Sequence, residues 1–213
     1  MGIKERKERE KGRRRQQIIV AAKRVFNKKG FNLTTMEDIA KEAELSPGTL
    51  YLYFKSKEEL YASLSLRVLQ YLSLRIEQIS CEKEIGADPL ANLEKLIDAM
   101  YDVYEFDPIN IIKIIHLQSS KILNNLSPQL LLEFNVLSKK SINTIAGIFE
   151  HGIKQGAIID RHPVALADIF WSLFSGIVLW ETSKKKIDYK KDYLKQTLNV
   201  AFKIFRNGIT ENK

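Results

Sequence analysis

Residues 35–60 read TMEDIAKEAELSPGTLYLYFKSKEEL. Thr35 offers an N-cap hydroxyl, and Asp38 stands three residues on, the spacing of a capping box, though Glu or Gln is commoner there. Met36 to Ala43 then reads as a short helix that stops near Glu44-Leu45. Ser46 caps the next helix, and Pro47 occupies its first turn, where a missing N–H costs nothing. That second helix is brief, Pro47 to about Tyr53, and Phe54-Lys55-Ser56 breaks it. Ser56 caps a long helix from Lys57 to about Ser80. Ile39, Ala40, Ala43, Leu45 and Leu50 are placed to hold the two short helices together, and the alanines allow a tight crossing. The pattern is a helix-turn-helix.

This packing leaves Ser46, Pro47, Gly48, Thr49, Tyr51, Leu52 and Tyr53 facing outward or flanking. A second helix of this kind enters the DNA major groove with its N-terminal residues at base edges. Hydroxyls at Thr34, Thr35, Ser46, Thr49, Tyr51 and Tyr53 suit phosphate oxygens, and Lys55 and Lys57 supply charge beside them. Tyr51 and Tyr53 stand two apart and cannot share a helix face, so at least one is expected to be exposed.

Working outward, a helix is expected from Arg13 to Lys29, with Ile18, Ala22, Val25 and Phe26 on one face. Gly30 follows as a C′ residue in the left-handed conformation that ends helices. Residues 1–12 are too polar to bury and read as disordered or as a frayed helical extension. After residue 80 the chain reads as helices throughout: Pro89 to Phe106, Ile109 to about Leu123, Pro128 to about Gln155, Pro163 to about Ser183, and a last helix to about Asn207 with Gly208 as its stop. Gly156–Asp160 reads as a turn. An all-α fold follows, with 1–60 as a basic arm plus helix-turn-helix DNA-binding domain and 61–213 as a second, helical domain.

Composition narrows the function. The chain has 213 residues, 45% hydrophobic and 28% charged, with a net charge of +8. It is large enough to bury a core unaided. The single Cys81 excludes an internal disulfide framework and any Cys-based zinc site. Residues 1–60 hold 15 Lys/Arg against 9 Asp/Glu, whereas 61–213 hold 19 against 17. That asymmetry points to an acidic partner, most simply nucleic acid. The first fifteen residues lack the apolar core of a signal peptide. The longest apolar stretch, Ile169 to Trp180, is too short to span a bilayer. The expectation is a cytoplasmic protein without a membrane partner. His116, His151 and His162 have no metal-ligand spacing, and there is no phosphate-cradling glycine loop or Gly-x-Ser-x-Gly elbow. No catalytic set, metal or cofactor is expected. The rival readings are an all-helical enzyme and a non-specific nucleoid-type DNA binder, and the size of the helical half argues against the second.

The run from Thr35 to Leu60 resembles the DNA-binding domain of the TetR family of bacterial transcriptional regulators. The upstream segment Val25-Phe26-Asn-Lys-Lys-Gly30-Phe31 is similar to that family's first helix and its Gly-aromatic exit. One departure is Glu44, where the family usually has Gly. The resemblance implies a homodimeric repressor, with three N-terminal helices on DNA and the C-terminal helices binding a small effector. It implies phosphate contacts at Thr35, Thr49, Tyr51, Tyr53 and Lys57, and base-edge contacts at Pro47, Gly48 and Leu52. These last three are apolar or lack a side chain, so thymine methyls and DNA shape would carry the readout.

In the helical half, Tyr101, Tyr104, His116, Gln118 and Trp171 are the candidate contacts for a hydrophobic effector. Leu166, Ile169, Phe170, Leu173, Phe174, Ile177 and Trp180 make one helix apolar on more than one face, and such a helix needs two partners. The expected dimer interface is Leu166, Phe170, Leu173, Phe174, Ile177, Leu198, Ala201 and Phe205. A two-fold dimer would set two recognition helices about 34 Å apart, or a near multiple, on a pseudo-palindromic site.

Overall fold

The computed structural model describes residues 2–81, 89–108, 111–112, 114–115, 123, 126–185 and 193–210. Among these the regular elements are helices: α1 (Ile3–Leu33), α2 (Met36–Glu42), α3 (Pro47–Tyr51), α4 (Lys57–Cys81), α5 (Pro89–Phe106), α6 (Pro128–Lys154), α7 (Pro163–Lys185) and α8 (Leu194–Ile209). Most of the helix expected over 109–123 lies outside the described residues. Residues 1–67 with 116–133 form one compact unit, and 68–115 with 134–213 form another. A boundary after residue 60 therefore falls inside α4.

Three sequence expectations are corrected. First, α1 starts at Ile3, so of the two readings of residues 1–12 the helical extension holds and the disordered one does not; the Gly2 N–H donates to the Glu5 carboxylate at 3.2 Å and caps the first turn. Second, Gly30 has a positive φ as expected, but ψ is extended (φ 75°, ψ 168°), a combination only glycine adopts readily. The chain then makes one more helical turn, and the Thr34 hydroxyl donates to the Gly30 carbonyl at 2.6 Å. Third, Gly208 does not stop the last helix, which runs to Ile209. Ile209 there accepts from the Ile159 N–H at 2.9 Å, and Thr210 forms an antiparallel bridge with Ile158.

In the first unit α1 is cross-linked to α2 along its length. Gln17 donates to the Ala43 carbonyl at 3.1 Å, Arg24 meets Glu42 at 3.4 Å, and Lys29 meets Asp38 at 2.6 Å. Phe26, Phe31 and Tyr61 form a ring cluster with centroids 4.8–5.9 Å apart. Burial pushes the Tyr61 phenol up to about 12, because ionisation there strands a charge among rings.

The second unit is held by aromatic packing between its long helices. Phe170 of α7 stacks on Phe202 of α8 at 4.9 Å and lies against Phe149 of α6 at 6.2 Å. Gly152 is needed at the end of α6: a Cβ there would stand 2.5 Å from Cδ1 of Ile158, whose side chain is buried. Ion pairs Arg75–Asp102, Glu77–Lys140 and Glu94–Arg206 tie the helices at the surface.

The apolar run of α7 is longer than residues 169–180. Pro163–Lys184 is long and apolar enough to cross a membrane by length and composition, with a mean hydropathy of 1.6. One face of that helix, Leu166, Ala167, Phe170, Phe174 and Val178, is buried within the unit. Core helices of water-soluble bundles satisfy the same composition test.

Candidate nucleic-acid interface

Helices α2 and α3 are each opened by an N-cap. The Thr35 hydroxyl accepts from the Asp38 N–H at 3.1 Å, and the Asp38 carboxylate accepts from the Thr35 N–H at 3.1 Å. Lys29, and then the Thr35 N–H, hold the Asp38 carboxyl below its usual range. The Ser46 Oγ accepts from the Thr49 N–H at 3.2 Å and pairs with the Thr49 hydroxyl at 2.9 Å. Pro47 opens α3. Glu44 takes φ 55°, the one non-glycine residue with positive φ among the described residues. Such a conformation strains an L-residue by about 1 kcal/mol.

Leu50 is fully buried and anchors α3 through its inner face. Pro47, Gly48, Tyr51 and Leu52 remain exposed, and Leu52 is 81% exposed. Gly48 would meet nothing but the Ser46 Oγ, at 4.0 Å, if it carried a Cβ. Tyr53 is half-buried and Lys55 exposed. Phe54 turns inward, with the Arg15 guanidinium 4.1 Å above its ring, while Arg15 donates to the Tyr53 carbonyl at 3.2 Å. Arg15, Tyr51, Leu52, Tyr53, Lys55 and the first turn of α6 border an open groove of about 700 Å³.

Ser46, Pro47, Gly48, Thr49, Tyr51, Leu52, Tyr53 and Lys55 thus lie on one short stretch of α3 and its exit. Two of the expected residues are placed differently. Thr34 is buried and spends its hydroxyl on Gly30, so it is not an outward phosphate donor. The Lys57 ammonium donates to the carbonyls of Phe31, Asn32 and Thr34 at 3.1, 3.4 and 3.0 Å, and stands 4.7 Å over the Phe31 ring. Its three N–H groups are directed at the exit of α1, so it fixes the segment that presents Thr35. Sequence reasoning missed Leu33, which is 76% exposed beside Thr34 and Thr35. The expected helix end at Lys29, four residues short of the observed end at Leu33, hid it.

The effector and dimer residues are less concentrated. The Tyr101 hydroxyl donates to Asn199 at 2.6 Å, and its ring meets Phe202 edge-on at 6.3 Å, so it joins α5 to α8. Burial, with the nearby Asp98 charge, pushes its phenol up to about 12. Tyr104 is half-buried, and Trp171 tilts against Phe174 at 5.8 Å. His116 and Gln118 lie outside the described residues.

The expected dimer set needs correction. Leu166, Phe170, Phe174 and Leu198 are buried within the subunit, and Phe205 leans on Phe149 and Phe170. They face the subunit's own core, because the inner arc of α7 carries positions 166, 170 and 174. The outer arc is a different row: Ile169, Leu179 and Trp180 are 53%, 39% and 63% exposed, with Val200 and Ile204 on α8. Leu173, Ile177 and Ala201 stand half-buried at its edge.

Comparison with known proteins agrees with this geometry. Residues 18–64 match the family model described as bacterial regulatory proteins, tetR family. The chain is 29% identical over 175 residues to the fatty acid metabolism regulator protein of Bacillus subtilis, covering 81% of this chain and 86% of that one. The crystal structure of a regulator from B. subtilis, FadR, in complex with stearoyl-CoA superposes with a TM-score of 0.66 at 26% identity, covering 91% and 98% of the two chains. PfmR from Thermus thermophilus, a TetR family regulator, has the same fold, with a TM-score of 0.69 at 22% identity over 89% and 97% of the chains.

Proposed function

We infer that this chain, which belongs to the TetR family of bacterial regulatory proteins, acts as a homodimeric repressor released by a hydrophobic effector. It regulates transcription by binding DNA. The observation that carries the finer reading is the outward face of α3. Leu52 stays almost wholly in water, where burial would gain about 1.5–3 kcal/mol, so its placement fits a DNA-contacting role. Tyr51, Tyr53 and Lys55 flank it as phosphate donors, with Pro47 and Gly48 at the base edges.

Two further features support the rest. The exposed row of Ile169, Trp180, Val200 and Ile204 is an apolar surface on the two helices that a two-fold four-helix interface would use. Within the second unit, the buried hydroxyls of Ser73 on α4 and of Ser138 and Ser141 on α6 have no hydrogen-bond partner among the described residues. An unsatisfied buried hydroxyl costs about 1–3 kcal/mol, so these three favour an effector with a polar group on an apolar body. The stearoyl-CoA bound by FadR has that character. An effector that fits one spacing of the recognition helices shifts the population away from the DNA-binding form.

Selection of genomic DNA by the purified protein at physiological salt tests the reading. A pseudo-palindrome should be enriched, and Leu52→Ala should change the preferred base at one position per half-site. A pool without enrichment, with and without added long-chain acyl-CoA, would refute it.

A further inference from the structure

Residues 4–15 carry eight basic residues, Lys4, Arg6, Lys7, Arg9, Lys11, Arg13, Arg14 and Arg15, against Glu5, Glu8 and Glu10. They are not a loose tail. They continue α1 without a break as an almost wholly exposed helix that overhangs the helix-turn-helix. From Ile3 to Arg15 that overhang is about 18 Å long at the rise of an α-helix.

Its phase decides its use. Lys4, Lys11, Ile18 and Val25 recur every seventh residue, as do Lys7, Arg14 and Ala21. Residues so spaced lie along one helix face. Ile18, Ala21, Ala22 and Val25 are all buried in the first unit. The basic stripe is therefore the direct continuation of the side by which α1 packs into the first unit. Arg15 marks the join, because it reaches the Tyr53 carbonyl at the exit of the recognition helix. Lys11 stands one turn before Arg15 on the same helix face, so the stripe runs outward from the exit of the recognition helix.

We propose that this stripe is a second DNA contact, in which Lys4, Lys7 and Lys11 run along the phosphates flanking the bases read by α3. The proposal rests on the DNA-binding reading above. A helix is about 10–12 Å wide and the minor groove about 6 Å, so the overhang lies on the backbone and does not enter that groove. It adds affinity and salt dependence but no base preference.

The test is a salt titration of the full-length protein on the duplex enriched by selection, with its natural flanks and with the flanks trimmed away. The variant Lys4→Gln/Lys7→Gln/Lys11→Gln should lower the slope of log affinity against log salt by about 3 per subunit, since each phosphate contact contributes about 0.9. Trimming the flanks should do the same to the wild type and nothing more to the variant. The control Arg6→Gln/Arg9→Gln/Arg13→Gln removes equal charge from the other face and should change the slope by less than one contact. Melting curves should coincide for all three proteins. An unchanged slope in the lysine variant, with wild-type binding intact, overturns the second contact alone, as does an equal loss in the control. A wild type that binds no DNA overturns the parent reading as well.

Discussion

Helices α2 and α3 are each started by a local polar cap, whereas α7 and α8 are held by rings. In the first pair each cap has a donor and an acceptor a few residues apart: Thr35 with Asp38, and Ser46 with Thr49. In the second pair Phe170 meets Phe149, Phe202 and Phe205, partners some 20–35 positions away in the chain. The difference teaches what kind of information each region stores. The polar region stores its geometry locally, so a side chain's role follows from its neighbours in sequence. The aromatic region stores it in which face of a nearly all-apolar helix turns inward, and that is settled only by distant partners.

The sharpest break of this contrast is Phe170→Ala. It removes a fully buried ring and should lower unfolding free energy by about 3–5 kcal/mol, read by chemical denaturation. Trp180→Glu, ten residues on along the same helix, should leave subunit stability within about 0.5 kcal/mol, because the side chain is exposed. It should instead convert a dimer to a monomer in sedimentation. If Phe170→Ala dissociated the protein while leaving its subunits stable, the inner and outer rows would have to be exchanged.

Lys57→Ala probes the polar region. Charge-assisted hydrogen bonds contribute about 1.5–3 kcal/mol, so losing the clamp on Phe31, Asn32 and Thr34 should cost roughly 2 kcal/mol of stability. DNA affinity should fall through misplacement of Thr35, with the salt slope of binding unchanged. A slope reduced by about 1 without loss of stability would make Lys57 a phosphate contact instead.

Gly152→Ala should cost about 1–3 kcal/mol, since Ile158 is buried and has little room to yield. Glu44→Gly should act in the opposite direction and raise stability by about 1 kcal/mol, a few degrees of melting temperature.

These outcomes bear on how far the sequence can be read. The helix-turn-helix was legible almost to the residue. Its signals are capping hydroxyls, a first-turn proline and small apolar contacts, all of short range. The start of α1 was legible only as one of two alternatives, because a run of charges lacks an apolar period, although Glu5 is placed to cap the first turn. Thr34 and Lys57 were misjudged for one reason: residue type suggested an outward donor, and the exit of α1 supplied inward acceptors. On α7 the positions 166, 170 and 174 were offered as an outer surface because nearly every face is apolar. The phase that separates them from 169 and 180 depends on where Phe149 and Phe202 stand.

The space around Gly48 carries a consequence for how such a protein changes over generations. The position lies on the exposed face of α3, its backbone suits any residue, and its near neighbour is a serine oxygen at van der Waals distance. A single nucleotide change in a glycine codon yields alanine, serine, valine, arginine or an acid. In the DNA-binding mode proposed above, each of these would protrude toward DNA without disturbing the core. New target sequences are thus reachable in one step that folding does not oppose, so regulators descended from one ancestor can part ways in what they recognise while their scaffold stays the same.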